Sequence, residues 1–358
     1  MRFCPRFLNF SKPKTHAKAC NHLSNDAPEI SPGAEIYQVN SQSKFKIAVI
    51  GIGGVGGYIG GKLAAHFENS ADVEIGLIAR GENEKAIKAK GLKLITSESE
   101  QIVRPNLMTV SEIGDADLIL LCTKEYDLEE TVSALKDSVG EQTAILPLLN
   151  GVDAAERIAK ILPETEIWQG CIYIVSKLAA PGVIEKTGDV CLINFGSENG
   201  ENEKLRLLEN IFREAGINAR LVEDISAAIW EKFVFLSSIA TATSYLDVPF
   251  GGLLSNAENK NLLLELAAEI TRLAEAKNIN VSETAIHQKI GALSNLPFEA
   301  TSSMHRDYAQ GKNAEIESLV GYVVKEARKL NVSVPNYERL YAELTNNRNH
   351  RKEAAGNQ

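Results

Sequence analysis

Cysteine is scarce and scattered in this chain, and that bounds its chemistry first. Cys4, Cys20, Cys122, Cys171 and Cys191 form no CxxC pair, and no histidine is spaced with them as a zinc site needs. No metal is therefore expected. Cys122 and Cys171 sit in apolar, strand-like runs and read as small core residues, which fits a reduced, intracellular compartment. Long apolar runs are lacking too: the longest candidate, near residue 233, is interrupted by Glu231 and Lys232, so no membrane span is expected. Basic residues number 38 against 47 acidic ones, and beyond residue 43 the count is 33 against 44. A net charge of −11 over that stretch argues against a nucleic-acid-binding face. No internal repeat is present.

What remains is a soluble globular composition, 44% hydrophobic and 24% charged. Its 358 residues are enough for one large or two ordinary domains. Residues 1–43 differ in kind. They lack periodicity and contain no acid before Asp26, as an organellar transit peptide would. Serine is sparse there, however, and no arginine-rich amphipathic helix is present. A disordered extension, or a start codon assigned too far upstream, fits equally, and a cytoplasmic location is expected.

Glycine, by contrast, is concentrated. The run Ile47 to Ile50 reads as a buried parallel strand that enters Gly51-x-Gly53-x-x-Gly56, and an apolar helical pattern begins at Val55, Ile59 and Leu63. In a dinucleotide site Gly51 allows the tight turn, Gly53 admits a pyrophosphate close to backbone, and Gly56 lets helix and strand pack closely. The opening of the helix, Gly54 and Val55, offers free N–H groups to the phosphates. The second strand, Val73 to Ile78, ends in Ala79-Arg80-Gly81 and carries no acid to accept a ribose 2′-hydroxyl. Arg80 suits a 2′-phosphate instead, so NADPH is the expected cofactor. The other reading of Arg80 is a solvated loop arginine.

Further strands are expected at Leu92–Ile95, Ile102–Leu107, Asp117–Cys122 and Ala144–Leu149, with a helix from about Leu128 to Val139. Strands alternating with helices predict a mostly parallel sheet. Turns at Pro181-Gly182 and Gly188-Asp189 predict antiparallel strands closing that sheet, followed by a helix near 202–215 and a strand at 218–222. Beyond about residue 224 the chain reads as helical. Leu263, Leu266, Ala267, Ile270, Leu273 and Ala274 form one apolar face; Ile316, Leu319, Val320, Val323, Val324, Ala327 and Leu330 form another. The expected fold class is therefore α/β, with a Rossmann-type NADP-binding domain over residues 44–223, an all-helical domain over 224–345 and a frayed tail over 346–358.

Three places could carry chemistry. Lys124 and Asn150-Gly151 lie at predicted strand ends, where ligands sit in open α/β sheets; each has an ordinary loop or turn as its other reading. Lys232 falls in an apolar helix opening beside Trp230, Phe233 and Phe235, and either snorkels to water or points into a cleft between domains. In a cleft its desolvated ammonium could polarise a ketone and protonate the new alkoxide. The third is Ser302-Ser303-Met304-His305-Arg306-Asp307, followed by Gly311 as a helix end, Asn313 as a cap and Glu315 in the first turn of the next helix. Glu315 either stabilises that helix or positions Lys232 or a substrate hydroxyl.

The order Gly51-x-Gly53-x-x-Gly56, Arg80, Lys124, Asn150-Gly151, Trp230-x-Lys232, Ser302-Ser303-Met304-x-x-Asp307, Gly311 and Glu315-Ile316 resembles the ketopantoate reductase (2-dehydropantoate 2-reductase) family. The resemblance spans about residues 45–345. It implies an NADPH-dependent oxidoreductase of pantothenate biosynthesis, with a 2-oxo acid substrate in a cleft between the two domains; a homodimer is compatible with it. It further implies Lys232 as general acid, Glu315 as partner carboxylate, Ser303 as substrate ligand, and Lys124 and Asn150 near nicotinamide and substrate. The chain departs from the family where asparagines are expected four and eight residues after the lysine and three before Ser303: those positions are Leu236, Ala240 and Ala300. Ser237, Ser238 and Thr241 are near, but one helical position rotates a side chain by about 100°. The departure suits a more apolar 2-oxo acid or ketone, and a non-catalytic NADPH-binding sensor is the reading from a different class.

Overall fold

The computed structural model describes residues 43–356, with side chains described as far as residue 346. The readings made for residues 1–42, including Cys4 and Cys20, lie outside the described residues.

Short β-branched and leucine-rich runs make the first half. In chain order, β1 (Phe45–Ile50), α1 (Gly54–His66), β2 (Val73–Ile78), α2 (Gly81–Lys90), β3 (Leu92–Ile95), β4 (Glu100–Val103) and β5 (Asn106–Leu107) are followed by β6 (Leu118–Leu121), α3 (Leu128–Ala134), β7 (Ala144–Pro147), α4 (Ala154–Ile161) and β8 (Glu166–Ile167). Strands β5-β2-β1-β6-β7-β8 form one wholly parallel sheet. Strand β6 is buried at all four residues, as a sheet covered on both faces requires. Helix α3 ends five residues before the expected Val139, giving way to turns such as Ser138 N–H to the Leu135 carbonyl.

The predicted closure of that sheet is corrected by the structure. The long strands β9 (Gln169–Ala180) and β10 (Val183–Gly196) form an antiparallel hairpin, but they build a second sheet. Strand β10 pairs in parallel with β3 and with β11 (Asn218–Leu221), which follows α5 (Glu203–Glu214). Helix α1 lies between the sheets, which explains its glycines. A Cβ on Gly57 would meet Ile184 of β10 at 2.5 Å, and one on Gly60 would meet Leu77 of β2 at 2.7 Å. Glycine costs a helix about 1 kcal/mol relative to alanine; here it lets one helix touch two sheets.

The second half is helical: α6 (Ile225–Leu246), α7 (Phe250–Ser255), α8 (Ala257–Ala276), α9 (Glu283–Ala292), α10 (Ser303–Ala309), α11 (Tyr322–Leu330) and α12 (Pro335–Gly356). A π-helical turn, Glu317–Gly321, leads into α11. Helix α6, capped by Asp224, is long and apolar enough to cross a membrane, with a mean hydropathy of 1.3, yet 67% of that window is buried inside the fold. It is the core helix of the bundle. The predicted face of α8 is buried throughout. The other predicted face is buried except for Leu330, which is 40% exposed. Leu330 is the last residue of α11, where the helix ends at the left-handed Asn331. Helix α12 continues to Gly356 where a frayed tail was expected after residue 345. Cys122 and Cys171 are buried, and burial pushes the Cys122 thiol up to about 12, leaving it inert.

Candidate active site

The glycine loop follows β1 as its sequence demands. Gly51 has φ +89°, and a Cβ there would strike the Cys122–Thr123 backbone at 2.7 Å. A Cβ on Gly56 would lie 2.3 Å from the Gly51 carbonyl oxygen. Gly53, by contrast, faces open space, with nothing within 4 Å of the position its Cβ would take. Gly57 N–H is the first to bond back into α1, reaching the Gly53 carbonyl at 2.8 Å. The N–H groups of Gly54, Val55 and Gly56 in the first turn thus have no partner within the helix. Arg80 immediately precedes α2, is exposed, and has no side-chain partner among the described residues. An open glycine, free N–H groups and an unengaged guanidinium at the acid-free end of β2 fit a phosphorylated dinucleotide.

Lys232 does not snorkel. It is 8% exposed, on the first turns of α6 among Trp230, Phe233 and Val234. Its Nζ donates to Asn150 Oδ1 at 3.0 Å and lies 5.9 Å from the centre of the Tyr173 ring. Burial is the main cause of a pKa held below the ordinary lysine value, with Cys171 and then Glu315 pulling the other way. The adjacent Glu231 offers no neutralisation, because it pairs with Lys289 at 2.9 Å.

Asn150, just beyond β7, joins the two halves of the molecule. While its Oδ1 accepts from Lys232, its Nδ2 donates to Glu315 Oε2 at 3.2 Å. An ammonium on one side and a carboxylate on the other fix the orientation of the amide. Glu315 is 5% exposed and sits just before the helix rather than in its first turn; its carbonyl accepts from Leu319 N–H at the start of the π turn. The helical backbone starts at Ile316, three residues after Asn313. No carboxylate comes within ion-pair distance of Lys232 among the described residues, so Glu315 reaches the lysine through Asn150.

Lys124 ends the β6 loop, exposed, with Asp307 Oδ2 at 4.0 Å. Asp307 and Ser303 lie four residues apart on α10 and so share one helical face. The Lys124–Asp307 contact therefore turns the Ser303 face toward the Rossmann half. Ser303 is half-buried and has no hydrogen bond among the described residues. Ser302 caps α10 and hydrogen-bonds Thr243 at 2.9 Å.

The positions that depart from the resemblance do not behave alike. Leu236 and Ala300 keep partial exposure, whereas Ala240 is fully buried in the helical core. Ser237 binds the Leu319 carbonyl and the Tyr337 hydroxyl, and Ser238 bonds back to Val234 at 2.7 Å. Neither is free to replace an asparagine. Sequence reasoning missed Asn150 as a bridge and Tyr173 beneath the lysine. No local signal marks Tyr173, which reads as one more strand residue.

A parallel-sheet nucleotide fold joined to a helical domain, with a buried lysine and a carboxylate between them, is the layout of a two-domain oxidoreductase. The family model "Ketopantoate reductase PanE/ApbA" matches residues 47–200, and its C-terminal counterpart matches residues 224–348. The chain belongs to the ketopantoate reductase family. It is 38% identical to a 2-dehydropantoate 2-reductase from Porphyromonas gingivalis W83, with a TM-score of 0.73 over 85% of this chain and 100% of that one. A 2-dehydropantoate 2-reductase from Halobacterium salinarum is 27% identical over 81% of this chain and 94% of its own length. An uncharacterized oxidoreductase of Bacillus subtilis is 28% identical over 84% and 97%.

Proposed function

We propose that this protein is an NADPH-dependent reductase of the 2-dehydropantoate 2-reductase type, converting the ketone of a 2-oxo acid to an alcohol with Lys232 as general acid. The observation that carries this reading is the buried chain Lys232–Asn150–Glu315. A sensor that only binds cofactor gains nothing from a desolvated ammonium wired to a carboxylate.

The residues Gly51, Gly53, Gly54, Val55, Gly56 and Arg80 would hold the phosphates, with Lys124 and Asn150 toward the nicotinamide. When bound, the reduced nicotinamide supplies the hydride. The protein supplies the proton and the placement. Lys232 Nζ, held by Asn150, donates toward the substrate carbonyl oxygen, and its lowered pKa eases release of the proton to the nascent alkoxide. Glu315 keeps the Asn150 amide turned so that its oxygen faces the lysine. Ser303 contributes a free hydroxyl to the substrate. By this reading the ammonium is the electrophile, so the mechanism calls for no metal.

Cofactor oxidation with a panel of 2-oxo acids tests this. Turnover is expected with at least one branched or unbranched 2-oxo acid; tight NADPH binding with no oxidation by any of them would leave the sensor reading instead. The cofactor half has a separate test. NADPH should bind much more tightly than NADH, and Arg80→Ala should erode that preference while leaving NADH affinity nearly unchanged. Equal affinities in the unaltered protein would remove the role given to Arg80.

A further inference from the structure

Asn83 lies in the first turn of α2, three residues after Arg80, and both ends of its amide are engaged. Its Nδ2 donates to the Ile52 carbonyl at 2.7 Å, and its Oδ1 accepts from the Gly182 N–H at 2.7 Å. Ile52 lies inside the glycine fingerprint, between Gly51 and Gly53. Gly182 lies 99 residues from Asn83, in the tight turn joining β9 to β10, where its φ is +77°.

The consequence concerns a single peptide group. Within the loop, the Ile52–Gly53 peptide offers a carbonyl on one side and an N–H on the other. Its N–H is taken up by the Gly51 carbonyl at 2.9 Å, and its carbonyl by Asn83. A peptide beside glycine flips at little steric cost. A flip here would break both bonds and set the Ile52 carbonyl against the Gly51 carbonyl, disturbing the turn that presents Gly53, open on its Cβ side, to a pyrophosphate.

We propose that Asn83 is a positioning residue for cofactor binding: it fixes the Ile52–Gly53 peptide of the glycine loop, using the hairpin turn at Gly182 as its anchor. This rests on the reading that the loop binds NADPH. Because the locked peptide lies in the loop that takes the pyrophosphate, which both nicotinamide cofactors share, the effect is common to NADPH and NADH. Arg80, by contrast, discriminates between them.

The test is direct titration of the full-length protein with NADPH and with NADH, followed by nicotinamide fluorescence, for the unaltered protein, Asn83→Ala, Asn83→Asp and Arg80→Ala. Asn83→Ala is expected to raise both dissociation constants by a similar factor, about tenfold for two lost hydrogen bonds. The cofactor KM should rise in step, with kcat moving less than twofold. Arg80→Ala should weaken NADPH alone. Unchanged affinities in Asn83→Ala, with only a lower Tm, overturn the proposal, since Asn83 would then merely hold the hairpin. Should Asn83→Ala fail to fold, Asn83→Asp keeps the acceptor for Gly182 while replacing the donor to Ile52; weakened binding of both cofactors supports the proposal, and unaltered binding overturns it. If the unaltered protein binds neither cofactor, the cofactor reading falls and this one falls with it.

Discussion

Lys232→Ala is expected to lower turnover by ~10²–10⁴-fold, the usual contribution of a positioned general acid, while NADPH affinity stays close to that of the unaltered protein. The separation follows from position. Lys232 Nζ meets Asn150 and the Tyr173 ring at the junction of the two halves, and neither the glycine loop nor Arg80 is among its hydrogen-bond partners. The pH profile gives a second reading. A general acid must be protonated, and burial holds the Lys232 pKa below the ordinary lysine value. The reductive kcat should therefore fall as pH rises through that lowered pKa, earlier than a solvated lysine would allow. The alkaline limb should vanish in Lys232→Ala. Full activity in the variant, or an unfolded protein, would show Lys232 to be a packing residue. Glu315→Gln should give a smaller loss, because it acts on the lysine through the Asn150 amide and not by direct contact.

The second large effect is in substrate choice. Leu236, Ala240 and Ala300 stand where the family resemblance places asparagines; of the nearby hydroxyls, Ser237 and Ser238 are committed to other partners and Thr241 is fully buried. At ~0.5–1.5 kcal/mol for each hydrogen bond lost at the two positions that keep exposure, Leu236 and Ala300, efficiency on hydroxyl-bearing ketopantoate should be about five- to 150-fold below that on a 2-oxo acid with an unsubstituted alkyl chain. Leu236→Asn should move the ratio of kcat/KM values back toward ketopantoate, since Leu236 retains exposure. Ala240→Asn should not. That side chain has no exposed surface, and an amide forced into a packed core costs stability by overpacking and by unmet hydrogen bonds. Ordinary efficiency on ketopantoate in the unaltered protein would refute the idea and return the search to Ser303 and the backbone around Ala300.

Much of this molecule is written in local pattern. The strand–glycine–helix run at 45–66, the Arg80 end of β2, the buried runs of β6 and β7 and the apolar face of α8 are all consequences of residue types at fixed spacing, so each is legible one segment at a time. The same holds for the candidate residues themselves: Lys232 stands out because a charge interrupts an apolar helix, and Glu315 because it follows a glycine stop. The errors fall where pairing is remote. Sequence predicts that β9 and β10 close the first sheet, but β10 chooses β3 and β11, because strand partners depend on which edges α1 brings together. Leu330 drops out of its predicted face because α11 ends there, a boundary that the apolar spacing does not mark.

Sequence by itself determined which candidate groups this chain offers for phosphate, for proton donation and for a carboxylate partner, since these depend on side-chain chemistry and short-range backbone geometry. Only the tertiary structure decided how they act on one another. Asn150 is 82 residues from Lys232 and 165 from Glu315, and Asn83 is 99 residues from Gly182. Hydrogen bonds of about 3 Å between such positions leave no periodic trace in a chain; they exist only once two sheets and a helical bundle have packed and brought the strand ends, α6 and the π turn to one place.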